Sequence, residues 1–427
     1  MNERTAIAWL HRRAGFGLGP GELDAAEKLG VEATLERLVD PDANRVRPAA
    51  DPWADQQFEA RPSKPQTFDS IRRWLDQLST TPRPLEAWMV WYWHGHFATS
   101  VTKVKYARLM VDQLRTFQRL GAGRFGDLLR AVTIDPAMLV WLDGKDSTGA
   151  EPNENFAREL LELFALGQGS FAESEVRAGA SALTGWRVQR RRGYETTFVD
   201  RRHDDTRRRY LDTSGVHDLD TVIGAITAHP DCALFVARRM ATEVLGERAV
   251  DDGLVRDLAR AFAASDLDVR TLMRSILVAG LARLDGPADQ RSPVVPGPVP
   301  WLAAARRATG AEPRFKAVAR LLKAAGQVPM APPDVGGWPG GQTWLESSTV
   351  VARYQLAGLV AEGTSESNPA RAAAIDGDDD RLADALGRPE GLSAPTRTAL
   401  AAAARAGGPP GVARLTIALA SPELALA

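Results

Sequence analysis

The run PNENFARELLELFALG, from Pro152 to Gly167, constrains the fold more than any other stretch of the chain. Pro152 and Asn153 stand where a helix starts and Gly167 where one stops, so the spacing predicts a helix with marked boundaries. On a helical wheel Glu154, Arg158 and Glu162 form one ladder, with Asn155 and Glu159 beside it. Phe156, Leu160, Leu161, Leu163 and Phe164 cover most of the remaining surface, and Leu166 falls inside the polar sector. The apolar surface is therefore wider than the stripe of an ordinary surface helix. Two readings of the ladder stay open. Charges held close to buried surroundings need partners and commonly serve function. Alternatively they are i,i+4 pairs on a solvated face, each contributing a few tenths of a kcal/mol.

Helical periods recur along the chain, through Glu22–Val39, Pro84–Phe97, Val101–Leu120, Phe125–Val132, Ala172–Leu183, Ala233–Leu245, Leu254–Ala263 and Val269–Val278. Pro298–Thr309, Phe315–Ala325 and Ser347–Ala361 continue the pattern. The expected fold is mainly α, a multi-helix globular bundle. Residues 187–212 alternate through Val188, Tyr194, Thr196, Phe198 and Tyr210, which predicts one small β-hairpin insertion. Residues 41–67, rich in Pro and Asp, read as an irregular connector, and residues 284–300 as a Pro/Gly-rich hinge before the C-terminal helices. Residues 364–427 read as an Ala/Gly/Pro-rich helical tail, loosely attached to the domain formed by residues 1–363.

With a formal net charge of −1 over 427 residues, no global field argues for nucleic acid or an anionic membrane as partner. The local exception is Arg187, Arg190, Arg191, Arg192, Arg201, Arg202, Arg207, Arg208 and Arg209, interrupted by His203, Asp204 and Asp205 and read as a solvated hairpin. Cys232 is the single cysteine, which excludes an internal disulfide or a CxxC pair, and its apolar context suggests a small core residue. No stretch approaches the roughly 20 apolar residues of a membrane span. MNERTAIAWLHRRAGFG contains no export-type apolar segment, so the expected location is the cytoplasm.

Three constellations carry candidate chemistry. His94-Gly95-His96 follows the aromatic run Trp88, Trp91, Tyr92, Trp93. Within a helix, residues i and i+2 point about 200° apart, so the two imidazoles converge on a divalent metal only if Gly95 ends the helix. Otherwise they are helix-terminal histidines packed on Trp. His203-Asp204-Asp205 suits a general base with an orienting carboxylate, or an exposed loop. On a strand, alternation would put His203 and Asp205 on one side and Asp204 on the other. Asp334-Val335-Gly336-Gly337-Trp338-Pro339-Gly340-Gly341 lets backbone approach something closely, with Trp338 and Trp344 as flat faces for a sugar-like ring or as plugs for the core. No HExxH, GxSxG or GxxxxGK[ST] occurs. The GQGSFA run from Gly167 to Ala172 follows a helix where a dinucleotide turn follows a strand, so no nucleotide cofactor is expected. Ser170 with Glu173 reads instead as a capping box.

PNENFARELLELFALGQGSFAESEV, with SALTGW ending at Trp186, resembles the signature of a bacterial family known as domain of unknown function 1800. WYWHGHFATS, DPAMLVWLDG, the FxxxxHD of Phe198–Asp204 and PPDVGGWPGGQTWLESS fit the same pattern in the same order. The resemblance spans nearly the whole chain and carries no activity with it. It implies exported relatives and a neighbouring gene for a sulfatase-like partner.

Two functions follow as expectations. In the first, Glu154, Arg158, His203 and Asp204 are catalytic and line one pocket of a hydrolase, in which Glu and His divide acid and base roles or hold a divalent metal that activates water. His94 and His96 are then its metal ligands, and Asn153, Asn155, Trp186 and Trp338 hold a small-molecule or carbohydrate-like ligand. In the second, the same residues are a buried polar network in a non-catalytic helical scaffold or ligand-binding partner protein.

Overall fold

The computed structural model describes residues 2–189, 193–284, 293–405 and 407–426. Helices begin where the sequence supplies an acceptor for their free N–H groups: Ser63, Asp135, Asn153, Asp218, Asp251 and Asp268 each cap one. Helix Pro84–His96 lies deepest, with every residue except Glu86 and Gly95 buried, as befits a helix that is apolar on all sides. Lys64–Thr80 and Ala107–Leu120 pack against it. One buried cluster runs from Trp9 to Leu419 and takes in Trp74, Trp93, Phe97, Phe125, Phe164 and Leu356.

The mainly α reading holds, with finer corrections. Glu22–Val39 is two helices, Glu22–Glu27 and Val31–Val39, parted by Gly30 at φ 87°. Val101–Leu120 breaks at Lys105, which takes the left-handed conformation at φ 67°. Helix Glu3–Arg13, read above only for export signals, and Lys64–Thr80 also form. The β insertion is two hairpins, not one: β1 (Trp186–Gln189) pairs antiparallel with β2 (Glu195–Phe198), and β3 (Arg208–Tyr210) with β4 (Thr213–Gly215). Arg190, Arg191 and Arg192 lie outside the described residues, as do residues 285–292 of the expected hinge.

The chain after Thr364 is packed, not loose. Its helices Pro369–Asp376, Asp379–Ala385, Ala394–Ala403 and Val412–Ala420 contribute Leu382, Leu400 and Leu415 to the main core, and Val412–Ala420 lies along Ser347–Gly363. Alanine keeps side chains short enough for such helices to approach closely. Among the described residues no single helix is long and apolar enough to cross a membrane.

The stretch 152–167 departs from a plain α-helix. Glu154–Glu159 is α-helical, but Leu160–Ala165 widens into a π turn that ends at Gly167, φ 83°. The wider turn takes Glu162 off the line of Glu154 and Arg158, and as the last turn of the helix it leaves backbone carbonyls for other partners.

The Gly-rich loop docks on the end of the aromatic helix. A Cβ built on Gly337, at φ 91°, would lie 2.3 Å from the Gly95 carbonyl oxygen. Trp338 then stacks on Trp91 at 4.9 Å, with 9° between the rings. Gly337→Ala is expected to lower stability by about 1–3 kcal/mol from backbone strain and collision with Gly95. Gly340 lies in the same loop with extended backbone, and a Cβ there would meet nothing within 4 Å. Gly340→Ala should therefore stay within about 0.5 kcal/mol of the parent. Urea unfolding of the two variants checks the contrast.

Candidate functional site

The residues expected to share one pocket fall in three places. Glu154 and Asn155 are exposed on the outer face of their helix. Arg158 reaches across to Glu173, donating from Nη1 and Nη2 at 2.6 and 2.7 Å, and Glu162 accepts from Gln168 Nε2 at 2.5 Å. Asn153 is a structural cap: its Oδ1 accepts from Phe156 N at 2.9 Å, and its Nδ2 donates to Leu142 O at 2.7 Å. Glu173 is thus an ion-pair partner, and the capping of the next helix falls to Glu175, whose Oε2 accepts from Ala172 N at 2.7 Å. None of Asn153, Glu154, Asn155 or Arg158 lines the large cleft described below. The π turn and the bidentate pull of Glu173 account for the broken ladder.

His203 and Asp204 form a second, separate cluster with Trp186. They follow the short turn Asp200–Arg202 and are not on a strand, so strand alternation does not govern their directions. Asp204 accepts from Ser181 Oγ, from Thr206 N at 3.0 Å and from Arg208 Nη2 at 2.9 Å. Burial acts to raise its pKa, but the bonds from Ser181, Thr206 and Arg208 outweigh it and hold the carboxyl well below the usual range. His203 Nδ1 lies 3.2 Å from Thr184 O, its ring 5.3 Å from Phe198, and Phe198 in turn packs on Trp186 at 5.1 Å. A carboxylate so fully bonded fastens helix Glu173–Ala182 to β3 and has little basicity left for catalysis.

The third place holds His94, His96 and Trp338. The helix continues through His96, so the two imidazoles meet different neighbours. His94 sits edge-on between Trp74 and Trp338, each at 5.3 Å, and burial lowers its pKa to about 3. His96 Nε2 lies 2.9 Å from Phe164 O, and a carbonyl only accepts, so Nε2 carries the proton and Nδ1 the lone pair. Burial, with Arg239 adding to it, pushes the His96 pKa well down. Among the described residues no three His, Cys, Asp or Glu side chains converge as a metal-binding group. His94 and His96 thus face different neighbours along a helix that continues through both.

His96 and Trp338 line a cleft of about 970 Å³, at the large end of small-molecule sites. Its walls come from the loop after helix Glu3–Arg13, the aromatic helix, the end of Pro230–Leu245, residues 293–305, the Gly-rich loop and the C-terminal helices. Trp88, Trp91, Trp301 and Trp344 supply apolar faces. Cys232, on the helix Pro230–Leu245, is fully buried with its thiol pushed up to about 12, a core residue as expected.

The π turn positions the polar part of this cleft through its backbone. Phe164 O receives His96, and Leu163 O receives Arg239 Nη1 at 3.1 Å. Gly167 allows the approach of Phe235, since a Cβ there would meet Phe235 Cδ2 at 2.9 Å, and Arg239 lies over the Phe235 ring at 5.6 Å. One turn beyond Arg239, Glu243 opens to the cleft with no hydrogen bond or ion pair of its own. Glu243 is itself exposed to the cleft, whose walls crowd it without covering it. Desolvation raises the Glu243 pKa, and the Arg239 charge only partly opposes the rise. Tyr92 also lines the cleft, its hydroxyl without a partner; burial raises its pKa, Arg239 lowers it and Glu243 raises it further. Arg239 and Glu243 escaped the reading of the sequence. The signal was there, as an i,i+4 Arg/Glu pair on a largely apolar helix facing Tyr92 and His96, an i,i+4 pair on another.

Replacing Asp204 tests the structural role of the hairpin cluster. Its depressed pKa contributes stability above the unfolded value of about 3.9, and that contribution disappears as pH falls through the folded value. Asp204→Asn is expected to lose about 1–3 kcal/mol near neutral pH and to flatten the decline of stability in acid, followed by circular dichroism. Arg158→Ala, by contrast, should leave the unfolding midpoint unchanged within error, because its ion pair is solvent-screened.

Comparison with known proteins agrees with the sequence motifs. No curated protein and no solved structure matches the chain. The family model described as protein of unknown function (DUF1800) matches residues 9–426, through the helical C-terminal stretch. A match of that extent, over every motif quoted above, shows that the chain belongs to the DUF1800 family.

Proposed function

We propose that the chain is an acid–base enzyme, of hydrolase type, acting on a small molecule bound in the cleft. The observation that carries this reading is Glu243: a carboxyl open to a deep cleft, with a raised pKa, no protein hydrogen bond and a guanidinium as its charged neighbour. In its acid form Glu243 gives a proton to the leaving group. Arg239 stabilises the carboxylate left behind, and the proton lost by the attacking water restores the acid. His96, neutral and fixed by Phe164 O, keeps a buried Nδ1 lone pair without a protein partner beside the cleft. The Tyr92 hydroxyl is a donor held in reserve, and the Trp faces suit the apolar side of a ring, including a carbohydrate ring. A divalent metal has no cluster of three ligands among the described residues, so no step is assigned to one.

A panel of chromogenic esters, glycosides and phosphate esters tests the reading. Glu243→Gln should lower turnover by about 10²-fold or more while leaving the melting temperature unchanged. Turnover that survives in Glu243→Gln would sink the assignment; binding of the same compounds without turnover would favour a carrier protein. The acid form is required, so activity should persist above pH 4.5 and fall as pH rises through the raised value. Arg239→Gln removes the charge that opposes the shift and should move that falling limb to higher pH. A carboxyl-carbon NMR titration of Glu243 reads the same shift without any substrate.

A further inference from the structure

A second polar stretch of the cleft wall is electrically distinct from the first. Arg12 lies in the last turn of the helix Glu3–Arg13, and Arg388 follows the helix Asp379–Ala385. Both line the cleft, although only 12% and 8% of their side chains are exposed. They share a single carboxylate, Glu390, at 3.0 Å from Arg12 and 3.5 Å from Arg388. Their remaining bonds go to neutral carbonyls: Arg12 Nη1 to Gly387 O at 2.6 Å, and Arg388 Nη2 to Leu426 O at 2.5 Å. The Nε–H of each is closed off from water without an acceptor. Arg13 stands beside them, its charge acting on Arg388. Glu243 belongs to the other pole, since the charge that acts on it is that of Arg239.

Among the described residues, two buried guanidiniums with one carboxylate between them hold uncompensated positive charge, and guanidinium stays protonated at any ordinary pH. Burial disfavours that charge at both sites, with Glu390 opposing. Such an arrangement is costly unless an anion from outside completes it.

We propose that Arg12 and Arg388 form an oxyanion subsite of the cleft, which holds a phosphate or carboxylate group of the ligand. The proposal rests on the reading of the cleft as a ligand site and deepens it by naming the ligand's charge. The forked donors of arginine match the paired oxygens of both groups. The ligand is then a small organic anion whose apolar or ring portion lies along the Trp wall toward Glu243.

Isothermal titration of inorganic phosphate, and separately of malonate, into the full chain at low ionic strength tests the subsite. Saturable binding is expected for at least one probe, and the comparison of the two identifies the group preferred. Arg388→Gln and Arg12→Gln should each weaken it about tenfold or more, and added salt should weaken it too. Glu390→Gln removes the competing carboxylate yet keeps an acceptor oxygen, so binding should tighten several-fold. Arginines that merely clamp Gly387 and Leu426 would change the melting temperature in these variants and leave no anion affinity to change. Should Arg388→Gln not fold, Arg388→Lys keeps the charge without the fork and should still bind more weakly than the parent.

Glu243→Gln should bind both probes as the parent does. No saturable binding of either probe, equal binding in the parent and both Arg variants, or a loss confined to Glu243→Gln would each overturn the proposal. Anion binding that behaves as expected while no substrate is turned over would remove the acid–base reading and leave this subsite standing.

Discussion

Two backbone carbonyls of one π turn hold the polar side of the cleft in place. An α-helix consumes its own carbonyls up to its last turn; here that turn is the wide one of Leu160–Ala165, and its Leu163 and Phe164 carbonyls go to Arg239 and His96. Three elements meet there: the signature helix, the aromatic helix Pro84–His96 and the helix Pro230–Leu245. With Arg239 fixed by Leu163 O and spread over Phe235, the next turn of its helix sets Glu243 at the cleft. With His96 fixed by Phe164 O, Tyr92 one turn earlier falls on the same wall. The charged side chains of the signature face outward, so the motif acts through its main chain.

The cleft gathers its electrostatics from depth. Apolar side chains, Leu and Trp foremost, outnumber the polar ones in its lining. In such a place each ionisable group is driven toward its neutral form unless a partner answers it. His96 responds by staying neutral, and Glu243 by holding its proton to higher pH. Arginine has no such escape, so Arg12 and Arg388 stay charged in the wall, with Glu390 as their shared carboxylate among the described residues. The same physics that makes the acid useful makes the guanidiniums receptive to an anion.

Legibility followed the range of the interactions. Most helices could be read from their periods, since each period is a local record of which face will be buried, and Pro298–Thr309 ends where its period does. The breaks at Gly30 and Lys105 were harder, because a single residue at positive φ interrupts a period without erasing it. Of the site, His96 and Trp338 were legible as unusual residues in aromatic and Gly-rich surroundings. Glu154, Arg158, His203 and Asp204 drew notice for the same reason, yet Glu173 and Ser181 with Arg208 occupy Arg158 and Asp204 in structural bonds. Charge density in a motif marks where partners are needed; it does not say whether the partner is protein or ligand.

The amino-acid order by itself determined the helical class, most helix positions, the burial of Cys232 and membership of a family whose motifs run along the whole chain. Tertiary structure alone decided that residues from Arg12 to Leu426 share one cleft, that the π turn turns two carbonyls toward it, and that Glu243 rather than Glu154 stands open to it. Periodicity is set by neighbours three or four positions away. A cleft is set by which distant helices pack together, and the depression or elevation of a pKa follows only from the surroundings that packing creates.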